Sequence, residues 1–251
     1  MRYVAFALLA ASVAALAEGD STADAKSVVT EASALLPKQE GYHSKVGGNY
    51  GMGEADIAMS YSAESIIHGD IAWSKEEQMG IQSETFRKGT KIVIKDPTDG
   101  EWKDSAEMGG LPVGNLQDPK VVLTLLDKSA DTAEFAGEEK IGDADCRRIV
   151  LKPKPEILKD FLAAQGIPDL GLDFSKGKIE FQVWVGKEDN LFRKFYLKGE
   201  LEMAMPEEDP TPGVEPMEPM KVTATVEVNL FSYNKDLDFE IPDKVKALLG
   251  L

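Results

Sequence analysis

At 251 residues, 43% hydrophobic and 29% charged, the chain has the composition of an ordinary globular protein with enough apolar material for a core. Its formal net charge of −16 opposes phosphate backbones and anionic membrane surfaces, which excludes nucleic acid as a partner class and disfavours a broad electrostatic membrane contact. A single cysteine rules out an intrachain disulfide, so stability must come from packing.

The first 17 residues read as a secretory signal peptide. Arg2 gives a positive start, Tyr3 to Leu16 is apolar apart from Ser12, and Ala15-Leu16-Ala17 is a small-residue cleavage site before Glu18. The stretch is shorter than the ~20 apolar residues a membrane span needs. No cysteine stands just after its apolar core, so the usual bacterial lipid-attachment site is missing. Cleavage near Ala17/Glu18 predicts a soluble periplasmic or secreted product, residues 18–251, with no transmembrane segment.

A helix is predicted from Ser21 or Thr22 to Leu36, with Val28, Val29, Ala32, Leu35 and Leu36 on one face and Pro37 ending it. The period then changes to two. Ala55 to Tyr61, Ile66 to Trp73 and Met79 to Phe86 read as strands, and His43 falls in a first strand before them. Lys91 to Lys95 is a strong strand, closed by Asp96-Pro97-Thr98-Asp99-Gly100 as an Asx-type turn, with Trp102 in the returning strand. Met108 to Asn115 reads as a loop. Asp118 caps a helix with Pro119 at its first position and Val121, Val122, Leu125 and Leu126 on its apolar face.

Thr132 to Ile141 and Cys146 to Leu151 are strands around the Gly142–Asp145 turn. Cys146 reads as a small half-buried strand residue, with a reactive or pairing thiol as the alternative. Glu156 to Gln165 is a short helix and Gly166 to Ser175 a loop. The clearest alternation comes last. Ile179, Phe181, Val183 and Val185 share one face, as do Leu191, Phe195, Leu197, Leu201 and Met203, with Arg193 among them. From Met220 to Leu230 every even position is apolar, the pattern of a sheet with one covered and one wet face. Pro206 to Pro219 is acidic and proline-rich, so it cannot join a ladder. It reads as a hairpin loop, with an interdomain linker as the alternative. Pro242 to Leu249 is a terminal helix with Val245, Leu248 and Leu249 facing inward. Together these elements predict an α+β fold: one curled antiparallel sheet of about ten strands, an incomplete β-barrel, with short helices over its concave face.

No catalytic constellation accompanies this pattern. The two histidines, His43 and His68, have no metal-ligand spacing, and there is no G-x-S-x-G elbow, P-loop or dinucleotide fingerprint. The glycine-rich Gly47–Gly53 stretch lacks the lysine and helix of a phosphate cradle and reads as a flexible strand or bulge. Asp143-Ala144-Asp145 lacks the oxygen density of a calcium loop. No enzyme activity, metal or cofactor is expected.

Several features occur in an order that resembles one family. They are Asp96-Pro97-Thr98-Asp99-Gly100-Glu101-Trp102, the capped Asp118-Pro119 helix, Gly142 to Pro153 in the form G-x-x-x-C-x-x-x-x-L-x-P, Val183-Trp184-Val185 followed by Leu191-Phe192-Arg193-Lys194, and a closing Asp238-Phe239-Glu240-Ile241-Pro242. With the cleavable signal they resemble the LolA/LppX-like group of exported lipoprotein carriers and lipid-binding proteins of the bacterial envelope. The resemblance runs over most of residues 41–249. It implies a half-barrel with helices on its concave side and an apolar cavity for acyl chains, and it implies no enzyme. On that expectation residues 18–251 form a single half-barrel domain carrying the acidic loop 206–219. Its concave face offers Ile92, Ile94, Phe181, Val183, Phe195, Leu197, Val226 and Val228 as ligand lining. The expected partners are lipids or the acyl chains of lipoproteins. The alternative is a non-catalytic envelope module of the same fold that binds another protein, through the acidic loop.

Overall fold

The computed structural model describes residues 24–52, 59–78, 80–107, 125–164, 172–203, 220–235 and 239–251. The expected signal segment 1–17, the expected helix start at Asp118-Pro119 and the expected loops 108–115 and 206–219 lie outside the described residues. Helix α1, Ala25–Leu35, begins where Asp24 accepts the Lys26 backbone N–H at 3.3 Å and buries Val28, Val29 and Ala32. A 3-10 turn over Leu36–Lys38, with Pro37 inside it, ends the helix.

Among the described residues eleven strands follow: β1 (Gly41–Met52), β2 (Met59–His68), β3 (Ile71–Gln78), β4 (Ile81–Lys88), β5 (Lys91–Lys95), β6 (Trp102–Asp104), β7 (Glu134–Ile141), β8 (Ala144–Leu151), β9 (Leu172–Gly186), β10 (Phe192–Met203) and β11 (Met220–Phe231). Helix α2 (Pro155–Ala164) lies between β8 and β9, and α3 (Asp243–Leu249) follows β11. The strands form one sheet in the order β6-β5-β4-β3-β2-β1-β11-β10-β9-β8-β7. It is therefore two antiparallel meanders joined along a single seam, β1 against β11, where Val46 faces Val228 and Ser44 faces Leu230. Among the described residues the two ends, β6 and β7, do not pair, so the curled sheet stays open.

Two boundaries and one burial differ from the expected ones. The Ile66–Trp73 run is a hairpin, not one strand: Gly69 adopts φ 59, a left-handed conformation glycine reaches without strain, and Ile66 pairs with Trp73 across the turn. The expected loop Gly166–Ser175 overlaps β9, which already pairs at Leu172 with Met203 and absorbs the extra length in a register shift near Glu200 and Glu202. Cys146 is fully buried, not half-buried.

Pairing register assigns every strand residue to a face. On the inner face Tyr42, Val46, Ile149, Leu151, Phe181, Val183, Phe195, Val228 and Leu230 form the main core with Val28, Val29 and Ala32 of α1, Leu125 and Leu126 of a helical segment at 125–129, and Leu158 of α2. The outer face is polar at its centre, where Lys194 bonds Glu227 at 2.6 Å and lies 5.1 Å from the Trp184 ring centroid. Toward β6 it is apolar. There Trp73, Phe86, Val93 and Trp102 pack against Val245, Leu248 and Leu249 of α3. The terminal helix thus buries the residues its spacing predicts, but against the opposite face from α1.

Candidate functional site

Burial falls from one end to the other along the inner face of β9, β10 and β11. At one end Val185, Val183, Phe181, Phe195, Leu230 and Val228 are buried beneath the helices. Toward the other end the same alternating positions stay apolar but only half-buried: Ile179 on β9, Leu197 and Leu201 on β10, and Val222, Ala224 and Val226 on β11. A solid core passes into an incompletely covered apolar surface within one set of strands.

Gly199 lies in the middle of that surface. Register pairs it with Ile179 on one side and Ala224 on the other. It is buried, yet a Cβ built on it would find no heavy atom within 4 Å. At Gly177 a Cβ would come 2.3 Å from the Leu201 side chain and 3.0 Å from the Glu200 carbonyl oxygen, so close neighbours account for that glycine. Gly199 has neither a close neighbour nor a positive φ to account for it. Mid-strand glycine costs about 0.5–1 kcal/mol relative to alanine, and what it leaves here is space.

The eight expected lining residues all fall on this inner face. Phe181, Val183, Phe195 and Val228 lie in the closed core, while Leu197 and Val226 stand where the face opens. Ile94, buried, and Ile92, half-buried, are on β5, five strands from β11, about 24 Å away by strand spacing. The structure therefore does not bring those two together with the other six. Sequence reasoning passed over Ile179, Gly199, Leu201, Val222 and Ala224. The available signal was the break at 199 in an odd-numbered pattern that is apolar from Phe195 to Met203.

A groove of about 460 Å³ lies elsewhere, lined by Gly47, Gly48, Asn49, Ser60, Tyr61, Tyr196, Thr225 and Glu227. Register puts Gly47, Asn49, Ser60, Tyr196, Thr225 and Glu227 on the outer face. Its polar lining and the Glu227 carboxylate, held by Lys194 and Asn229, do not suit an apolar ligand. His43 Nε2 lies 2.8 Å from Glu64 Oε1 without hydrogen-bond geometry, on the outer face beside Phe231. His68 ends β2. Among the described residues no three His, Cys, Asp or Glu side chains converge as a metal-holding group, and no helix is long and apolar enough to cross a membrane. The Asp96 turn is structural: Thr98 donates its backbone N–H to Asp96 Oδ1 at 2.8 Å, and Lys103 bonds both Asp96 and Asp99.

No protein-family model and no curated protein matches the chain. Among solved structures it is similar to the Mycobacterium tuberculosis lipoprotein LppX, with a TM-score of 0.49 and 10% identity over 86% of this chain and 98% of that one. It is similar to LprF from Mycobacterium bovis at a TM-score of 0.49 and 12% identity, over 90% and 99% of the two chains. A LolA superfamily protein from Nitrosomonas europaea gives a TM-score of 0.30 at 11% identity, over 89% and 97%.

Proposed function

We propose that this chain is an exported binder or carrier of lipid or lipoprotein acyl chains, working without chemistry from a single unit that begins near Glu18. The observation that carries the reading is the buried Gly199, with open space where a side chain would stand, set among the half-buried Ile179, Leu197, Leu201, Val222, Ala224 and Val226. Each acyl methylene moved from water onto that surface contributes about 0.8 kcal/mol, so a long chain binds without any specific polar contact. In this reading Leu197 and Val226 touch the chain, and Phe181, Val183, Phe195 and Val228 close the inner end of its site. Ile92 and Ile94 extend the same face toward β6. The motif resemblance supports the same assignment.

The test is native mass spectrometry of the purified protein before and after denaturation. Extra mass that is released on denaturation and identified as lipid is the expected result. A clean mass that stays unchanged after incubation with lipid extract overturns the reading and leaves a packed-core interaction module. Gly199→Phe places a ring in the open space. It is expected to lower lipid uptake at least tenfold while the melting temperature moves by only a few degrees.

A further inference from the structure

The outer face carries an open groove that acyl binding leaves unused. Its volume of about 460 Å³ is that of a small-molecule site, and its lining stands on four adjacent strands, β2, β1, β11 and β10. Among the described residues no other element contributes, so the groove has a floor and walls, and a ligand enters it directly from solvent. Gly47 lies in the floor, between Glu227 of β11 and Ser62 of β2. A Cβ built there would meet no heavy atom within 4 Å, and its φ is not positive, so neither packing nor backbone geometry accounts for the glycine. What it leaves is depth between the flanking side chains.

The lining is polar and electrically balanced. Asn49, Ser60 and Thr225 supply an amide and two hydroxyls, and among the described residues no hydrogen bond engages these side chains or the Tyr196 hydroxyl. Glu227 adds a carboxylate. Lys194 bonds one of its oxygens at 2.6 Å and Asn229 the other at 2.9 Å, which leaves each oxygen a second lone pair. Burial pushes this carboxyl up, but the bonds from Lys194 and Asn229 outweigh it and hold it below its ordinary value, so it stays an acceptor at neutral pH. Lys194 also cancels its charge. Beyond the rim the charges are paired as well, Lys45 with Glu64 at 3.5 Å and Lys198 with Glu200 at 3.4 Å. No net charge therefore selects an anion or a cation. All four strands are interior to the sheet, so no free backbone edge is offered to a peptide. What remains is a set of donors and acceptors beside the half-buried Tyr196 ring, which presents an apolar surface to C–H groups. That combination matches the hydroxyls and C–H faces of a sugar.

We infer that this groove binds a neutral oligosaccharide, with Gly47 as its floor, Tyr196 as the platform for a sugar ring, and Asn49, Ser60, Thr225 and Glu227 as hydrogen-bonding partners of its hydroxyls. From β2 to β10 the groove crosses three strand spacings, about 14 Å, which is wider than one six-membered ring, so it takes more than one sugar unit. The site is independent of the acyl surface, since Tyr196, Thr225 and Glu227 lie on the opposite face of the sheet from Gly199.

The experiment is isothermal titration calorimetry of the full chain with maltotriose, cellotriose and chitotriose, each up to about 10 mM. At least one is expected to bind, and the anionic trigalacturonate is expected to bind at least tenfold more weakly. Gly47→Val is expected to reduce the affinity tenfold or more, and Tyr196→Ala fivefold or more. Valine suits a strand and has open space at position 47, so Gly47→Val is expected to melt no lower than wild type, which separates lost binding from lost folding. A wild-type chain that binds none of the three neutral sugars overturns the inference. So does a folded Gly47→Val that binds like wild type, or a trigalacturonate affinity equal to that of the neutral sugars. If Gly47→Val does not fold, Tyr196→Ala decides in its place, and an unchanged affinity there overturns the site.

Discussion

Asp96 shows how much one turn residue can anchor. Lys103, Thr98 and the Thr98 backbone N–H all bond its carboxylate and hold its pKa well below the usual carboxylate range. A carboxyl depressed in the folded state stabilises the fold fully above its unfolded pKa, near 4, and loses that contribution as pH falls toward the lower folded value. Asp96→Asn is therefore expected to lower stability by a constant amount above about pH 5, with the gap closing below about pH 4. Urea titrations of both proteins across that range measure it. Burial pushes the Cys146 thiol up from its ordinary value, so it is expected to resist alkylation in the native state and react only on unfolding. The turn role of Asp96 was legible from Asp-Pro-x-Asp-Gly, because Asx geometry is local. Gly199 was not legible, since a hydrophobic pattern counts the side chains present and passes over an absence. The groove floor at Gly47 was not legible either, because it depends on Glu227 and Tyr196 standing beside it on other strands.

Among the elements, α3 carries the clearest lesson. Its period announced an apolar face through Val245, Leu248 and Leu249, and two of these are buried. Period says that a helix has a buried side, but not which side of a sheet receives it. That choice was made by Phe86, Val93 and Trp102, whose outward register leaves an apolar patch that only a second cover can bury. The Phe86 ring meets Trp102 edge-on at 5.3 Å and Phe239 at 6.1 Å. Phe86→Ala is expected to cost about 3–5 kcal/mol in urea unfolding, as buried aromatic truncations do. Lipid uptake by the molecules that remain folded should not change, because the patch faces away from the proposed site. Strand β7 manages a different problem. It is a free edge, and Glu134, Glu138, Glu139 and Lys140, together with the bulge at Gly137, make it a poor template for another strand.

For the whole molecule, alternation made the sheet and its antiparallel nature legible, and β9, β10 and β11 lie where their patterns placed them. Strand order was not legible, because nothing local in β1 points to β11. That pairing has a kinetic consequence. Each meander is built from neighbouring hairpins and can form as its strands become available. The seam joins Val46 to Val228, about 180 residues later, so at synthesis rates of roughly 5–20 residues per second β1 waits about 9–36 s for its partner. Until then the N-terminal meander has an unpaired edge and an uncovered apolar face, and the sheet cannot be completed. That interval exposes the chain to aggregation, so its yield should depend on what shields β1 before the last strand arrives.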